Sequence, residues 1–317
     1  MPPPLYIQTT IAFIWDFDRT LIPGYMQNPL FETYGVDASL FWKEVNGLVD
    51  HYGDQGLMVS KDTAYLGHIL SYVAAGKFPD LSNERLRDFG AQIELAPGMP
   101  DFMTRTRALV ARDPYAHHGI KVEHYILSTG LRQMIYGTPF ADVVEGVWGS
   151  ELIPDPPPPG YLTHPPSDDA RTGVVSQVGY TIDNTTKTRA IFEINKGVNH
   201  DPEIDVNGVL APEERRVPFK NMIYVADGPS DVPVFSLVGK MGGKTFGVYT
   251  LGEHSNYEGV KTLSAQGRIM GMGETNYNEG SPSDLWLMST LKELADEIVH
   301  DRERALASVP GVPGHVT

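Results

Sequence analysis

The feature that most constrains the fold is a set of short apolar runs, three of which run straight into polar residues. Residues 11–15 lead into Asp16, residues 122–127 into Ser128, and residues 222–226 into Asp227; a fourth run covers residues 245–249. Runs this short, rich in β-branched and aromatic residues, fit strands buried on both faces of a parallel sheet. Helical patterns separate them at residues 102–111 and 187–195, and Leu287, Leu291, Leu294 and Ile298 repeat at helical spacing near the C-terminus. This alternation predicts an α/β class with a Rossmann-like parallel sheet core. Ligands of such sheets bind beyond the carboxyl ends of the strands, where the three polar strand ends would meet.

Residues 24–96 read differently. Phe41, Val45, Leu48, Val49 and Tyr52 share one helical face, as do Leu66, Ile69, Leu70 and Val73. Leu86, Phe89 and Ile93 form a third face, with Ser82 as its N-cap. The expectation is a helical cap domain inserted after the first strand, leaving the core at Pro23-Gly24 and returning at Pro97-Gly98. Residues 1–23 and 97–317 would then form the catalytic core. The proline-rich stretch 154–166 and the polar stretch 200–218 are expected as loops.

Composition narrows the partners. The chain of 317 residues is 41% hydrophobic and carries a formal net charge of -15. So acidic a surface disfavours nucleic acid, and the lack of a polybasic or long apolar stretch disfavours membrane association. There is no cysteine, which excludes disulfides and thiolate chemistry. The N-terminal stretch lacks the features of a signal peptide, so the default expectation is a cytoplasmic location. Oligomeric state is not legible.

Asp16 and Asp18 flank one residue directly after a buried strand. Two carboxylates buried together call for a cation or a shared proton, and oxygen ligands facing a dianionic substrate suit Mg²⁺. The stretch Asp16-Phe17-Asp18-Arg19-Thr20, the Ser128-Thr129-Gly130 strand end, Lys187 at the head of a helical pattern and Asp227-Gly228-Pro229-Ser230-Asp231 follow in order along the chain. In this the chain resembles the haloacid dehalogenase-like (HAD) superfamily, and within it the phosphoserine phosphatase-like members with a helical cap after the first motif.

The resemblance implies a Mg²⁺-dependent phosphatase acting on a small phosphorylated metabolite. Asp16 would be the nucleophile, forming a phosphoaspartate, and Asp18 the general acid/base. Asp16, Asp18 (through its backbone carbonyl), Asp227 and Asp231 would hold the metal, with Asp231 as a direct ligand or an acceptor behind it. Ser128, Thr129 and Lys187 would bind the phosphoryl group, with Lys196 and Lys220 as rival lysines. Arg19, Tyr25 and Lys61 are candidate substrate contacts. Phosphoserine phosphatases carry a glutamate nine residues after the nucleophile, where this chain has Tyr25. A phosphotransferase or phosphomutase would use the same motifs, and a non-catalytic phosphometabolite-binding protein is the reading from another class.

Overall fold

The computed structural model describes residues 7–163 and 169–307. The first six residues of the stretch read as lacking a signal peptide, and residues 164–166 of the expected proline-rich loop, lie outside the described residues.

In chain order the elements are β1 (Thr10–Trp15), α1 (Asn28–Tyr34), α2 (Ala38–Gly53), α3 (Lys61–Ala74), α4 (Asn83–Gly90), α5 (Asp101–Val110), β2 (Lys121–Leu131), α6 (Arg132–Tyr136), β3 (Gly146–Ile153), β4 (Gln177–Tyr180), α7 (Thr186–Lys196), β5 (Met222–Ala226), α8 (Val232–Lys240), β6 (Lys244–Tyr249), α9 (His254–Ala265), β7 (Gly271–Glu274) and α10 (Pro282–Ala307). The strands form one sheet in the order β4-β3-β2-β1-β5-β6-β7. Every pairing is parallel except β3 with β4, which is antiparallel.

Strand periodicity sorts the core into two layers. Ile11, Phe13 and Trp15 of β1, with Ile223 and Val225 of β5, face α5, α6 and α10. Ala12 and Ile14, with Met222, Tyr224 and Ala226, face α7, α8 and α9. The strand order reverses at β1, between β2 and β5, which opens a crevice at the carboxyl ends of those three strands.

The α/β expectation holds, with corrections of detail. The expected four strands are β1, β2, β5 and β6, while β3, β4 and β7 were not anticipated. Strand β2 does not stop before Ser128 but runs on to Leu131, with an irregular register against β3 between Leu127 and Leu131. Ser128 is therefore held inside an interrupted strand rather than on a loop.

Between β1 and α5 the chain forms helices α1 to α4. Ser82 caps α4, its hydroxyl accepting from the Arg85 amide at 3.1 Å, though Ile93 falls beyond that helix. The buried side chains of these helices, among them Phe31, Phe41, Leu66 and Phe89, join the same apolar cluster as Phe17, Leu21 and Met134 of the rest of the chain. A Cβ on Gly90 would lie 2.0 Å from the Met134 carbonyl oxygen, so α4 meets α6 backbone to backbone. The return point is pinned as well: Gly98 has φ +84° and sits against the backbone of Tyr277 and Asn278, a place no side chain could occupy.

The stretch 200–218 lacks strands and α-helices and is tied down by polar contacts. Arg216 forms a fork with the Glu123 carboxylate and reaches Tyr125, while Lys196 donates to the carbonyls of Val206 and Gly208.

Beneath the crevice lies a buried polar chain. The Trp15 indole donates to His124 Nδ1 at 3.1 Å, His124 Nε2 lies 2.9 Å from the Thr106 hydroxyl, and that hydroxyl donates to the Met103 carbonyl at 2.7 Å. Since the carbonyl only accepts, the Thr106 proton goes there. Its lone pair is then left for an Nε2 proton, and His124 is neutral. Burial, with a further push from Arg107, holds the His124 pKa well below its ordinary 6.5. The Glu145 carboxylate nearby accepts from the His124 amide. The unfolded chain thus binds a proton that the folded one refuses, so this contribution is present above pH 6.5 and lost as pH falls below it. The slope is at most about 1.4 kcal/mol per pH unit. Urea unfolding at pH 7, 6 and 5 checks this: wild type should lose stability relative to His124→Gln as pH falls, and parallel curves would rule the linkage out.

Candidate active site

The crevice forms a cavity of about 420 Å³ lined by Asp16, Asp18, Arg19, Tyr25, Ser128, Thr129, Asp227, Gly228, Pro229, Ser230, Ser255, Asn256 and Gly259. The first strand delivers Asp16 at its end, and the Asp16 amide donates to the Val225 carbonyl of β5 at 2.9 Å. The turn that follows is braced from the other side of the chain. The Thr275 hydroxyl donates to the Arg19 carbonyl at 3.0 Å, and the buried Tyr277 hydroxyl to the Thr20 carbonyl at 2.9 Å. Arg19 has φ 59°, a left-handed conformation that costs a residue with a Cβ about 1 kcal/mol or more.

Lys187, at the head of α7, is 1% exposed. Its Nζ donates to Asp16 Oδ1 at 2.7 Å and to Asp231 Oδ1 at 2.6 Å. Burial works against its charge, but the two carboxylates outweigh burial and raise its pKa. The rival lysines stand elsewhere: Lys196 is wrapped by backbone carbonyls, and Lys220 pairs with Asp301 at the surface.

The carboxylates are crowded. Oxygens of Asp16, Asp227 and Asp231 lie within 4.8 Å of one another. Burial pushes the Asp16 carboxyl up to about 6, against the pull of Lys187 and with help from Asp231. Asp18 is raised to about 7 by burial and then by Asp16, while the Met26 amide, donating to Asp18 Oδ1 at 2.9 Å, opposes the shift. Asp227 is raised well above the usual carboxylate range, by burial first and then by Asp16 and Asp231.

Asp231 differs from the others. It is fully buried, and both its oxygens are engaged: Oδ1 by Lys187 and the Tyr224 hydroxyl, Oδ2 by the Ser230 hydroxyl at 2.7 Å. Ser128 Oγ accepts from the Gly130 amide at 3.0 Å, which leaves its hydroxyl proton free for the cavity. The Thr129 carbonyl takes hydrogen bonds from Tyr65 of α3 and Ser150 of β3.

Of the residues singled out from the sequence, the structure gathers Asp16, Asp18, Arg19, Tyr25, Ser128, Thr129, Lys187, Asp227 and Asp231 around this cavity. It does not bring in Lys61, which is exposed in the first turn of α3 and does not line the cavity; its neighbour Asp62 turns inward instead. Sequence reasoning missed the contribution of the β6–α9 junction. Asn256 accepts from the Thr250 amide at 2.8 Å and donates to the Asp227 carbonyl at 3.2 Å, and Glu253 pairs with Arg19. The end of the fourth apolar run at Tyr249 was the available signal, because that strand also ends at the crevice.

Acids after β1 and β5, a serine in β2 and a lysine opening α7 all converge on the crevice of a mostly parallel sheet with helices on both faces, a Rossmann-like α/β core. No protein-family model matches the chain. Among solved structures, a probable phosphoserine phosphatase from Vibrio cholerae is 12% identical, with 92% of this chain and 68% of that one covered at a TM-score of 0.48. A HAD family hydrolase from Salmonella enterica serovar Typhi is 11% identical, with 86% and 68% covered at a TM-score of 0.47. Nothing about activity follows from likeness at this level. An uncharacterized protein of Borreliella burgdorferi is 37% identical over 290 residues, spanning 90% of this chain and 97% of that protein. At that identity over nearly the whole of both chains, this protein belongs to one family with the Borreliella burgdorferi protein.

Proposed function

We propose that this chain is a metal-dependent phosphomonoester hydrolase with Asp16 as nucleophile and Asp18 as general acid/base. The observation that carries the reading is Lys187, buried between Asp16 and Asp231 at the end of β1, with Asp18 facing the same cavity. A structural ion pair would not need three further carboxylates crowded beside it.

The donor set suits a hard divalent cation such as Mg²⁺: carboxylate oxygens only, with more negative charge than Lys187 and Arg19 offset. Asp16 and Asp227 have the oxygens to hold it, while Asp231, part of the same cluster, turns Oδ1 to Lys187 and Tyr224 and Oδ2 to the Ser230 hydroxyl. When bound, the ion would supply positive charge to the phosphoryl oxygens.

The chain's own groups do the rest. An Asp16 oxygen forms a bond to phosphorus as the bond to the leaving oxygen breaks. Asp18, whose pKa is raised to about 7 so that a substantial share carries its proton at neutral pH, gives that oxygen its proton. Asp18, now ionised, takes a proton from the water that cleaves the phosphoaspartate. Ser128 donates to a phosphoryl oxygen, and Lys187 balances the charge that shifts during transfer. The insert over residues 24–96 acts as a cap, with Tyr25 lining the cavity and the Tyr65 hydroxyl bonded to the Thr129 carbonyl, and so favours small phosphorylated metabolites. The same residues would serve a phosphotransferase, in which an acceptor other than water takes the phosphoryl group.

Phosphate release from p-nitrophenyl phosphate tests the reading. Activity with Mg²⁺ should exceed activity in EDTA by about 100-fold or more. A purified, folded protein that releases no phosphate with Mg²⁺ from this ester or from a panel of phosphorylated metabolites would refute it.

A further inference from the structure

Tyr224 carries a hydroxyl that its place in the fold does not call for. It lies in β5 between Ile14 of β1 and Thr245 of β6, fully buried, with its ring edge-on to Phe235 at 5.3 Å between centroids. Phenylalanine would fill that space and keep the apolar pattern of the strand. A hydroxyl buried this deeply is costly unless it is bonded. It donates to Asp231 Oδ1, since an ionised carboxylate only accepts.

That oxygen is also the one that holds Lys187. Oδ1 of Asp231 accepts from Lys187 Nζ at 2.6 Å, and the same Nζ donates to Asp16 Oδ1 at 2.7 Å. Lys187 is thus shared between two carboxylates at nearly equal distances, and its place depends on how strongly each draws it. Oδ2 of Asp231 is taken by the Ser230 hydroxyl at 2.7 Å. Among the described residues, Tyr224 alone competes with Lys187 for Oδ1. The partial positive charge of its hydroxyl offsets part of the attraction between Asp231 and the ammonium.

We infer that Tyr224 is a positioning residue for phosphoryl transfer: by tempering the hold of Asp231 on Lys187, its hydroxyl keeps the ammonium on Asp16. This rests on the phosphohydrolase reading of the pocket and adds a residue to the apparatus behind the nucleophile. Without the hydroxyl, Asp231 draws Lys187 toward itself. Asp16 then loses the contact that fixes its carboxylate, and positive charge retreats from the end of β1 where the phosphoryl group is attacked. Tyr224 does not line the cavity, so the loss falls on the chemical step and not on substrate binding.

Tyr224→Phe removes the hydroxyl and keeps the ring, and a urea unfolding curve establishes that the variant is folded. With Mg²⁺ and p-nitrophenyl phosphate its kcat should fall about tenfold or more, the weight of a hydrogen bond to a charged group, while KM stays within about twofold of wild type. Asp231→Asn tests the route. Adding Tyr224→Phe to it should cost about twofold or less, because no carboxylate charge is left to temper. Crystal structures of wild type and Tyr224→Phe give a readout apart from turnover: Lys187 Nζ should keep Asp231 and move out of hydrogen-bond reach of Asp16 Oδ1, to about 3.2 Å or more. A folded Tyr224→Phe with unchanged kcat, a raised KM at constant kcat, a full second loss in the Asp231→Asn background, or a Lys187 that stays on Asp16 overturns the inference. Should Tyr224→Phe not fold, the crystallographic comparison passes to Ser230→Ala, which strips the donor from Oδ2: Lys187 drawn toward Asp231 supports the inference, and an unmoved Lys187 refutes it. A shift of Lys187 in a protein that releases no phosphate would remove the hydrolase reading and leave the control of Lys187 by Tyr224 standing.

Discussion

Asp16→Asn should lower phosphate release by about three orders of magnitude or more, the loss expected when a covalent nucleophile is removed. The amide keeps the shape of the carboxylate, so the packing of Trp15 and Phe17 around it is undisturbed, and Lys187 retains Asp231 as its partner. What disappears is the attacking charge. Steady-state release from p-nitrophenyl phosphate, measured beside a urea unfolding curve, separates chemistry from folding. Near wild-type turnover in the folded variant would place the nucleophile elsewhere. Normal folding with turnover below about a thousandth would agree with attack by Asp16.

The parts of the fold that were legible share one physical property. Strands β1, β5 and β6 are buried on both faces, so each reads as an unbroken apolar run whose end marks the crevice. Strands that escaped notice lack that pattern for identifiable reasons. In β7 the glycines are imposed from outside: a Cβ on Gly271 would meet the Trp286 indole at 2.5 Å, and one on Gly273 the Ser283 hydroxyl at 2.4 Å, so α10 lies directly on the strand. Close packing of that kind erases the hydrophobic signal by which strands are found. Edge strand β4 is four residues long and half-exposed, too short for any periodicity.

The site divides in the same way. Acids directly after an apolar strand announce themselves, because an unpaired buried carboxylate is expensive. Lysine gives a weaker signal: Lys187 stands out from Lys196 and Lys220 in sequence only as the head of a helical pattern, whereas tertiary burial separates one held by two carboxylates from one held by carbonyls and one at the surface. Tyr224, inside a run that reads as pure core, carries a hydroxyl that reaches Asp231. Its aromatic ring satisfies the strand pattern and conceals the polar contact. Lys61 shows the limit of position in the insert as a guide: the first turn of α3 leaves it exposed and outside the lining of the cavity.

Asp18→Asn separates the two halves of the proposed reaction and should lower steady-state turnover by about two to four orders of magnitude. The asparagine can still accept from the Met26 amide, so the loop after β1 keeps its shape. It can neither protonate a leaving oxygen nor deprotonate water. These two losses fall differently on different esters. An alkyl phosphate needs the proton to release its alkoxide, so its first step fails. p-Nitrophenolate is stable as an anion and leaves unaided, so Asp16 can still be phosphorylated. The stall then comes at hydrolysis of the phosphoaspartate, where no base remains to activate water. Rapid mixing of Asp18→Asn with p-nitrophenyl phosphate should therefore give a burst of nitrophenolate near one equivalent per site, followed by a slow phase. Asp16→Asn should give no burst. An Asp18→Asn protein that turns over both esters like wild type would remove Asp18 from the mechanism. A variant slow on both esters with no burst would make Asp18 necessary to the first step regardless of leaving group, which is the behaviour of a residue that holds Asp16 in place rather than one that moves a proton.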